Sequence, residues 1–315
     1  MTGESTDGLA AGWLGRTERI RQIGPDITPD NIQASFGLYA REHEEAGHRA
    51  PTLARDLQYG PDPRNRLDVH SGEAAASPLP VLVYVHGGGF VGGDKHIPGT
   101  PYYDHIGAWA VSRGMVSVTM TYRLAPEHPW PAGAQDVGHA VAWVTEHIGD
   151  YGGDPARVVV TGHSAGATHV AGYLAGHAGS RADAAAGVLL SGIYDLTATQ
   201  PGGAQAAYFG DDPSQYSARS PLAGLVSSGT PVLFDVAEFD PPMFHQQAGG
   251  VAEAFMRRHG TLPPLVYALR HNHISEVAAL GIDDDALGIP LLRFIESVTG
   301  TVLPRPGYQE RAPAA

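Results

Sequence analysis

The chain has 315 residues, 43% of them hydrophobic, enough to build a large core and too many for a disordered chain. Its net charge of −13, from 20 basic and 33 acidic residues, argues against a nucleic-acid binder and against docking on an anionic membrane. There is no cysteine, so disulfides, thiol nucleophiles and thiolate metal sites are excluded.

The first residues lack a basic segment followed by an apolar run. No apolar stretch approaches the ~18 residues that span a bilayer. The expectation is a soluble cytoplasmic protein. Two helical stretches come first. The pattern near Trp13 to Ile23 is mixed. The next is clearer: Thr28 can cap, Pro29 suits the first helical position, and Ile32, Phe36 and Tyr39 share a face that ends near Gly47. We expect residues 1–50 to form a short helical lid.

After that the period changes. "LARDLQY" and "NRLDVHS" alternate like a half-buried antiparallel pair around the turn-rich "GPDPR". Short continuous apolar runs follow at 81–85, 115–122, 157–162, 187–192, 231–238 and 264–270. Such runs are strands buried on both faces, and helix-like segments lie between most of them. The expected class is α/β: a mostly parallel central sheet flanked by helices. One catalytic domain over 51–305 and a frayed tail over 306–315 complete the expected organisation.

The run "VLVYVHGGGF" ends a strand on three glycines, Gly87 to Gly89. Glycines there let backbone N–H groups approach a ligand closely. The spacing is not that of a phosphate loop. The backbone N–H groups of Gly87 and Gly88, with that of Ala165, are assigned to an oxyanion hole. His86 is expected to orient the loop and to take no part in proton transfer.

In "RVVVTGHSAGATHV" a serine stands between two glycines, at the junction of a strand and a helix. The turn is so tight that Gly162 and Gly166 must relieve the crowding around Ser164. A serine that only caps the helix is the plainer alternative; the strand–turn–helix context favours a nucleophile.

The segments "HGGGF", "YRLAPEHPWPA", "DPARVVVTGHSAG" and "AEFDPP" occur in that order. Together they resemble the hormone-sensitive-lipase-like carboxylesterases, a branch of the α/β-hydrolases, over residues 80–275. The resemblance implies the α/β-hydrolase fold and a Ser–Asp–His order of catalytic residues. Asp240, at the end of "PVLFDVAEFD", is the expected acid; Asp235 and Glu238 sit inside the strand and rank below it. The resemblance also places the base in the loop after the last strand. There "RHNHISE" offers His271 and His273, of which His273, directly before the helix-like "ISEVAALG", is preferred. The family's usual glycine after this histidine is Ile274 here, as in feruloyl-esterase-like and kynurenine-formamidase-like relatives. In "YRLAPEHPWPA" the resemblance implies a structural role, with Arg123 paired to Glu127 and no substrate contact by Trp130.

A His271–His273 metal pair lacks a third ligand, and His43 and His48 lie five apart, on different helix faces. No metal and no cofactor are expected. The expected function is a serine carboxylesterase acting on a small-molecule ester. Its pocket is expected to be small, favouring acyl chains of about two to six carbons, since each unburied methylene forfeits ~0.8 kcal/mol. An arylformamidase-type amidase is the alternative, supported by "SGIYDL" and "YSARSPL". A non-catalytic binding protein is disfavoured because all three triad positions are filled. Whether the chain forms a homodimer is left open.

Overall fold

The computed structural model describes residues 6–47, 52–73, 75–179, 183–199 and 202–305. The expected tail, 306–315, and parts of the expected lid, 1–5 and 48–50, lie outside them.

Eight strands form one sheet: β1 (Thr52–Gln58), β2 (Arg66–Ser71), β3 (Leu79–Val85), β4 (Val116–Met120), β5 (Gly153–His163), β6 (Ala186–Leu190), β7 (Val232–Phe239) and β8 (Leu265–Asn272). Their spatial order is β1-β2-β4-β3-β5-β6-β7-β8. The β1–β2 and β2–β4 pairs are antiparallel, and every later pair is parallel. The alternating sequence of β1 and β2 thus forms the antiparallel edge, and the continuous apolar runs form the parallel centre.

The helices before β4 are α1 (Thr6–Ile23), α2 (Pro29–Gly37), α3 (Ala40–Ala46) and α4 (Asp104–Ser112). After β4 come α5 (Ala132–His147), α6 (Ala165–Leu174), α7 (Ala204–Phe209), α8 (Tyr216–Arg219) and α9 (Leu222–Ser228). The last are α10 (Pro242–His259), α11 (Ser275–Ala278) and α12 (Gly288–Thr299). Strand pleating sorts side chains to the two faces. Val81, Val83 and Val85 of β3 pack with Val141 of α5 and Val170 of α6. Leu82 and Tyr84 turn the other way, toward Trp109 of α4 and Leu291 of α12. Truncating a fully buried member such as Leu82 to alanine removes packing worth about 2–5 kcal/mol.

Thr28 caps α2, its hydroxyl accepting from the Asn31 N–H at 3.2 Å, and Pro29 opens the helix. The face expected to run on to Tyr39 is broken. The helix stops at Gly37, a poor helix former, and α3 begins at Ala40. The break lets Tyr39 turn fully inside, under the Arg16 guanidinium, 4.8 Å from its ring centre. Among the described residues no helix is long and apolar enough to cross a membrane.

Candidate active site

Strand β5 and helix α6 meet at Ser164, whose backbone is held at φ 55° and ψ −122°. Few residues with a side chain tolerate that region. The turn leaves no room beside it. A β-carbon on Gly162 would lie 2.4 Å from the Gly166 carbonyl oxygen, and one on Gly166 would lie 2.2 Å from that of Val85. The crowding expected from the sequence is therefore physical, and it aims the serine side chain out of the C-terminal edge of the sheet.

His273 Nε2 lies 2.9 Å from Ser164 Oγ, and His273 Nδ1 lies 2.7 Å from Asp240 Oδ1. Asp240 follows the end of β7. Its second oxygen accepts from Ser191 Oγ at 2.6 Å and from the Ala237 N–H at 2.8 Å. Burial alone would raise the Asp240 carboxyl. The adjacent His273 and these hydrogen bonds outweigh burial and hold it below the ordinary value, so the group carries its charge. Phe244 stacks on the His273 ring, with centroids 4.4 Å apart. His163 Nε2–H donates to the His273 carbonyl at 2.7 Å.

The other candidates lie elsewhere. His271 is buried, its Nε2–H donating to the Asp284 carbonyl at 3.0 Å and its Nδ1 3.2 Å from Ser275 Oγ. His271 and His273 therefore do not converge on one point. Glu238 accepts from the Arg270 N–H at 2.7 Å. Asp235 is buried in the middle of β7.

The Gly87–Gly89 loop faces the elbow. A β-carbon on Gly87 would lie 3.2 Å from Ser164 Cβ. Among the described residues, no backbone carbonyl accepts from the Gly87 or Gly88 N–H. Ala165 opens α6, where the first N–H groups have no partner within the helix. These three donors border the same cavity as Ser164. His86 braces the loop: its Nδ1–H donates to the Gly87 carbonyl at 2.5 Å, and its ring stacks on Tyr122. Burial pushes His86 down to about 4, so it stays neutral.

The cavity over Ser164 measures about 550 Å³. Ile27, Ile32 and Phe36 come from the N-terminal segment, and Phe90, Met243 and Ile274 from the loops and helices around the sheet. Tyr39, expected on this wall, is absent from it because of the helix break. The volume is larger than so short a covering segment implied, and it falls within the ordinary range for small-molecule sites.

One expected contact is corrected. Arg123 pairs with Asp136, not Glu127: Arg123 Nη2 lies 2.9 Å from Asp136 Oδ1, and the Arg123 N–H donates to Asp136 Oδ2 at 2.8 Å. Asp136 is buried on α5 and needs a cation, whereas Glu127 is exposed to water. Trp130 packs against His177 and Arg219, outside the cavity over Ser164.

The BD-FAE family model matches residues 67–188. Solved structures cover much more of the chain. A bacterial heroin esterase superposes with a TM-score of 0.69 at 20% identity, covering 90% of this chain and 97% of that one. Esterase B from Lactobacillus Rhamnosis (HN001) superposes at 0.66 and 19% identity, covering 86% and 95%. The chain has the α/β-hydrolase fold. Its HGGGF and GHSAG motifs lie in the stretch it shares with curated relatives that are named esterases. Esterase LipQ of Mycobacterium tuberculosis H37Rv is 32% identical over 255 residues, 70% of this chain and 59% of that protein. Carboxylesterase NlhH of the same strain is 49% identical over 90 residues, 28% and 26% of the two chains. The chain spans only 26% to 59% of the length of these two relatives.

Three neighbours of the site escaped the sequence reading. Ser191 follows β6 and opens the SGIYDL segment, where nothing marks it as the partner of Asp240. His163 was visible only as the variable position before the serine. Phe244 is an unremarked aromatic in α10. Each acts through contact with a residue distant in sequence, which no local pattern records.

Proposed function

We propose that this protein is a carboxylesterase with Ser164 as nucleophile, His273 as general base and Asp240 as the acid that orients it. The observation that carries this reading is the unbroken hydrogen-bond chain from Ser164 through His273 to a charged Asp240, facing the Gly87–Gly89 loop. In the proposed cycle His273 Nε2 takes the hydroxyl proton as Ser164 Oγ attacks the ester carbonyl. The backbone N–H groups of Gly87, Gly88 and Ala165 hold the developing oxyanion. His273 then passes its proton to the leaving alcohol, and a water activated by the same imidazole releases the acid. The names of the curated relatives, esterases and carboxylesterases, support this class.

The cavity lining favours an uncharged ester over the amidase alternative. Among the described residues lining it none is Lys or Arg, and Asp94 stands at its edge. An amino-acid-derived formamide with a free carboxylate finds no cation there. The N-terminal segment, residues 1–50, serves as the lid over the domain of residues 51–305. The proposed reaction takes place on a free small molecule inside the cytoplasm, without a cofactor. The deciding experiment is a panel of acyl esters and amides, with N-formylkynurenine included, assayed beside Ser164→Ala. Ester turnover that vanishes in the variant supports the reading. A formamide turned over faster than every ester would replace it with the amidase.

A further inference from the structure

Two carboxyls lie behind the triad with no role in it. Asp235 sits in the middle of β7, paired with Leu190 on one side and Val266 on the other. Glu276 sits on α11, three residues after His273. Both are buried, Glu276 completely. The Val236 N–H lies near Asp235, and the Ser191 hydroxyl near Glu276 donates to Asp240; among the described residues, none of the four oxygens accepts a hydrogen bond of ordinary geometry. The two carboxyls are within hydrogen-bonding reach of each other. A pair of buried carboxylates without a donor or a cation is untenable. The proton that satisfies them has to be their own.

The pair touches the machinery at one point. Glu276 Oε1 lies 3.5 Å from His163 Nε2, the nitrogen whose N–H holds the His273 carbonyl at 2.7 Å. Nitrogen atoms of His163 and His273 and a Glu276 oxygen all lie within 4.8 Å of one another. A charged Glu276 would draw the His163 N–H away from that carbonyl and put a second negative charge behind the triad. A neutral Glu276 does neither.

We propose that Asp235 and Glu276 share a proton and that Glu276, kept neutral in this way, is a positioning residue that acts through His163 on the His273 loop. The surrounding groups agree with this assignment. Burial pushes Asp235 up to about 7 and Glu276 well above the carboxylate range, each reinforced by the charge of Asp240. Burial drives His163 down to about 3, so it supplies no counter-charge. The other titratable groups facing the pair are Tyr84 and Tyr194, both held in the neutral phenol form by burial, and His273 beside Asp240. Among the described residues no Lys or Arg faces the pair, and a shared proton is the remaining way to balance it.

The proposal rests on the esterase reading for its kinetic arm only. The direct arm is difference infrared spectroscopy of the folded full chain at pH about 8, far above the ordinary carboxylate range. A carbonyl stretch of a protonated carboxyl is expected there, and it should shift or disappear in both Asp235→Asn and Glu276→Gln. Absence of that band in wild type, or a band unchanged in both variants, would overturn the proposal whatever the substrate proves to be. In the kinetic arm Glu276→Leu should lower kcat about tenfold or more with KM little changed, since only the placement of His273 suffers. Glu276→Gln, a neutral isostere, should restore most of that loss. Loss of kcat in Glu276→Gln as deep as in Glu276→Leu would show that a charge is needed and would overturn the positioning role.

Discussion

His273 Nε2 stands 2.9 Å from Ser164 Oγ although 109 positions separate the two residues in the chain. The contact exists because β5 and β8 end at the same edge of the sheet. The serine leaves one strand end in a strained turn, and the histidine leaves the other in a loop fixed by His163 and Phe244.

Ser164→Ala should abolish ester turnover while leaving the fold intact, since the side chain it removes is small and half-buried. An organophosphate should add to wild type, and peptide mapping should find the adduct on Ser164. An adduct on a different serine sinks the assignment.

His273→Ala should remove activity, and His271→Ala should retain much of it, because His271 is bound up with Asp284 and Ser275. Asp240→Asn should cost about 10⁴ in kcat by leaving the imidazole without its charged partner. Steady-state kinetics on the four variants, Asp235→Asn being the last, checks the set. A deeper loss in Asp235→Asn than in Asp240→Asn would reassign the acid.

Stability should depend on pH through buried neutral histidines. Burial drives His163 and His169 down to about 3 and His86 to about 4. Below the unfolded value of about 6.5 the unfolded chain binds protons that the folded chain refuses. Stability is therefore complete above about pH 6.5 and falls as pH drops toward 4, by about 1.4 kcal/mol per unit for each such histidine. Thermal unfolding across this range measures the slope, and His169→Gln should flatten it. An equally steep decline in that variant would remove His169 from the account.

The Arg123–Asp136 pair should matter and Glu127 should not. Asp136→Ala leaves a guanidinium without its partner and should cost about 3 kcal/mol, whereas Glu127→Ala changes an exposed side chain and should cost under about 0.5. Urea unfolding of the two variants decides it. Equal effects would mean that the pair carries no special weight.

Substrate size should follow the cavity. At about 550 Å³ it accommodates a small ester and not a long-chain triglyceride. A kcat/KM series on p-nitrophenyl esters from acetate to palmitate should peak at short chains, and Phe36→Ala should raise KM by opening the roof. Removing residues 1–45 should weaken substrate binding or destabilise the enzyme. A peak at about twelve carbons or more would contradict the small-ester assignment.

Much of this was legible in the sequence because it is local. Continuous β-branched runs dictate buried parallel strands. The glycines around Ser164 announce a turn that only small residues fit. The position of Asp240 just past a strand places it at the sheet edge. What stayed hidden depended on distant partners. The choice between His271 and His273 turned on which ring reaches Ser164, and two positions of chain separate them. Arg123 found Asp136 instead of the nearer Glu127 because burial, not proximity in sequence, decides which carboxylate needs a cation. Tyr39 left the cavity wall when its helix broke at Gly37. The Asp235–Glu276 pair has no motif: nothing in either local segment says that a strand residue and a helix residue 41 positions apart meet in a dry interior, and only the packing of α11 on β8, the strand beside β7, brings them together. The sequence set the backbone periods and the strained turn because those are determined by neighbours along the chain. The tertiary structure decided which polar groups share low-dielectric space, because that depends on how the elements close over one another.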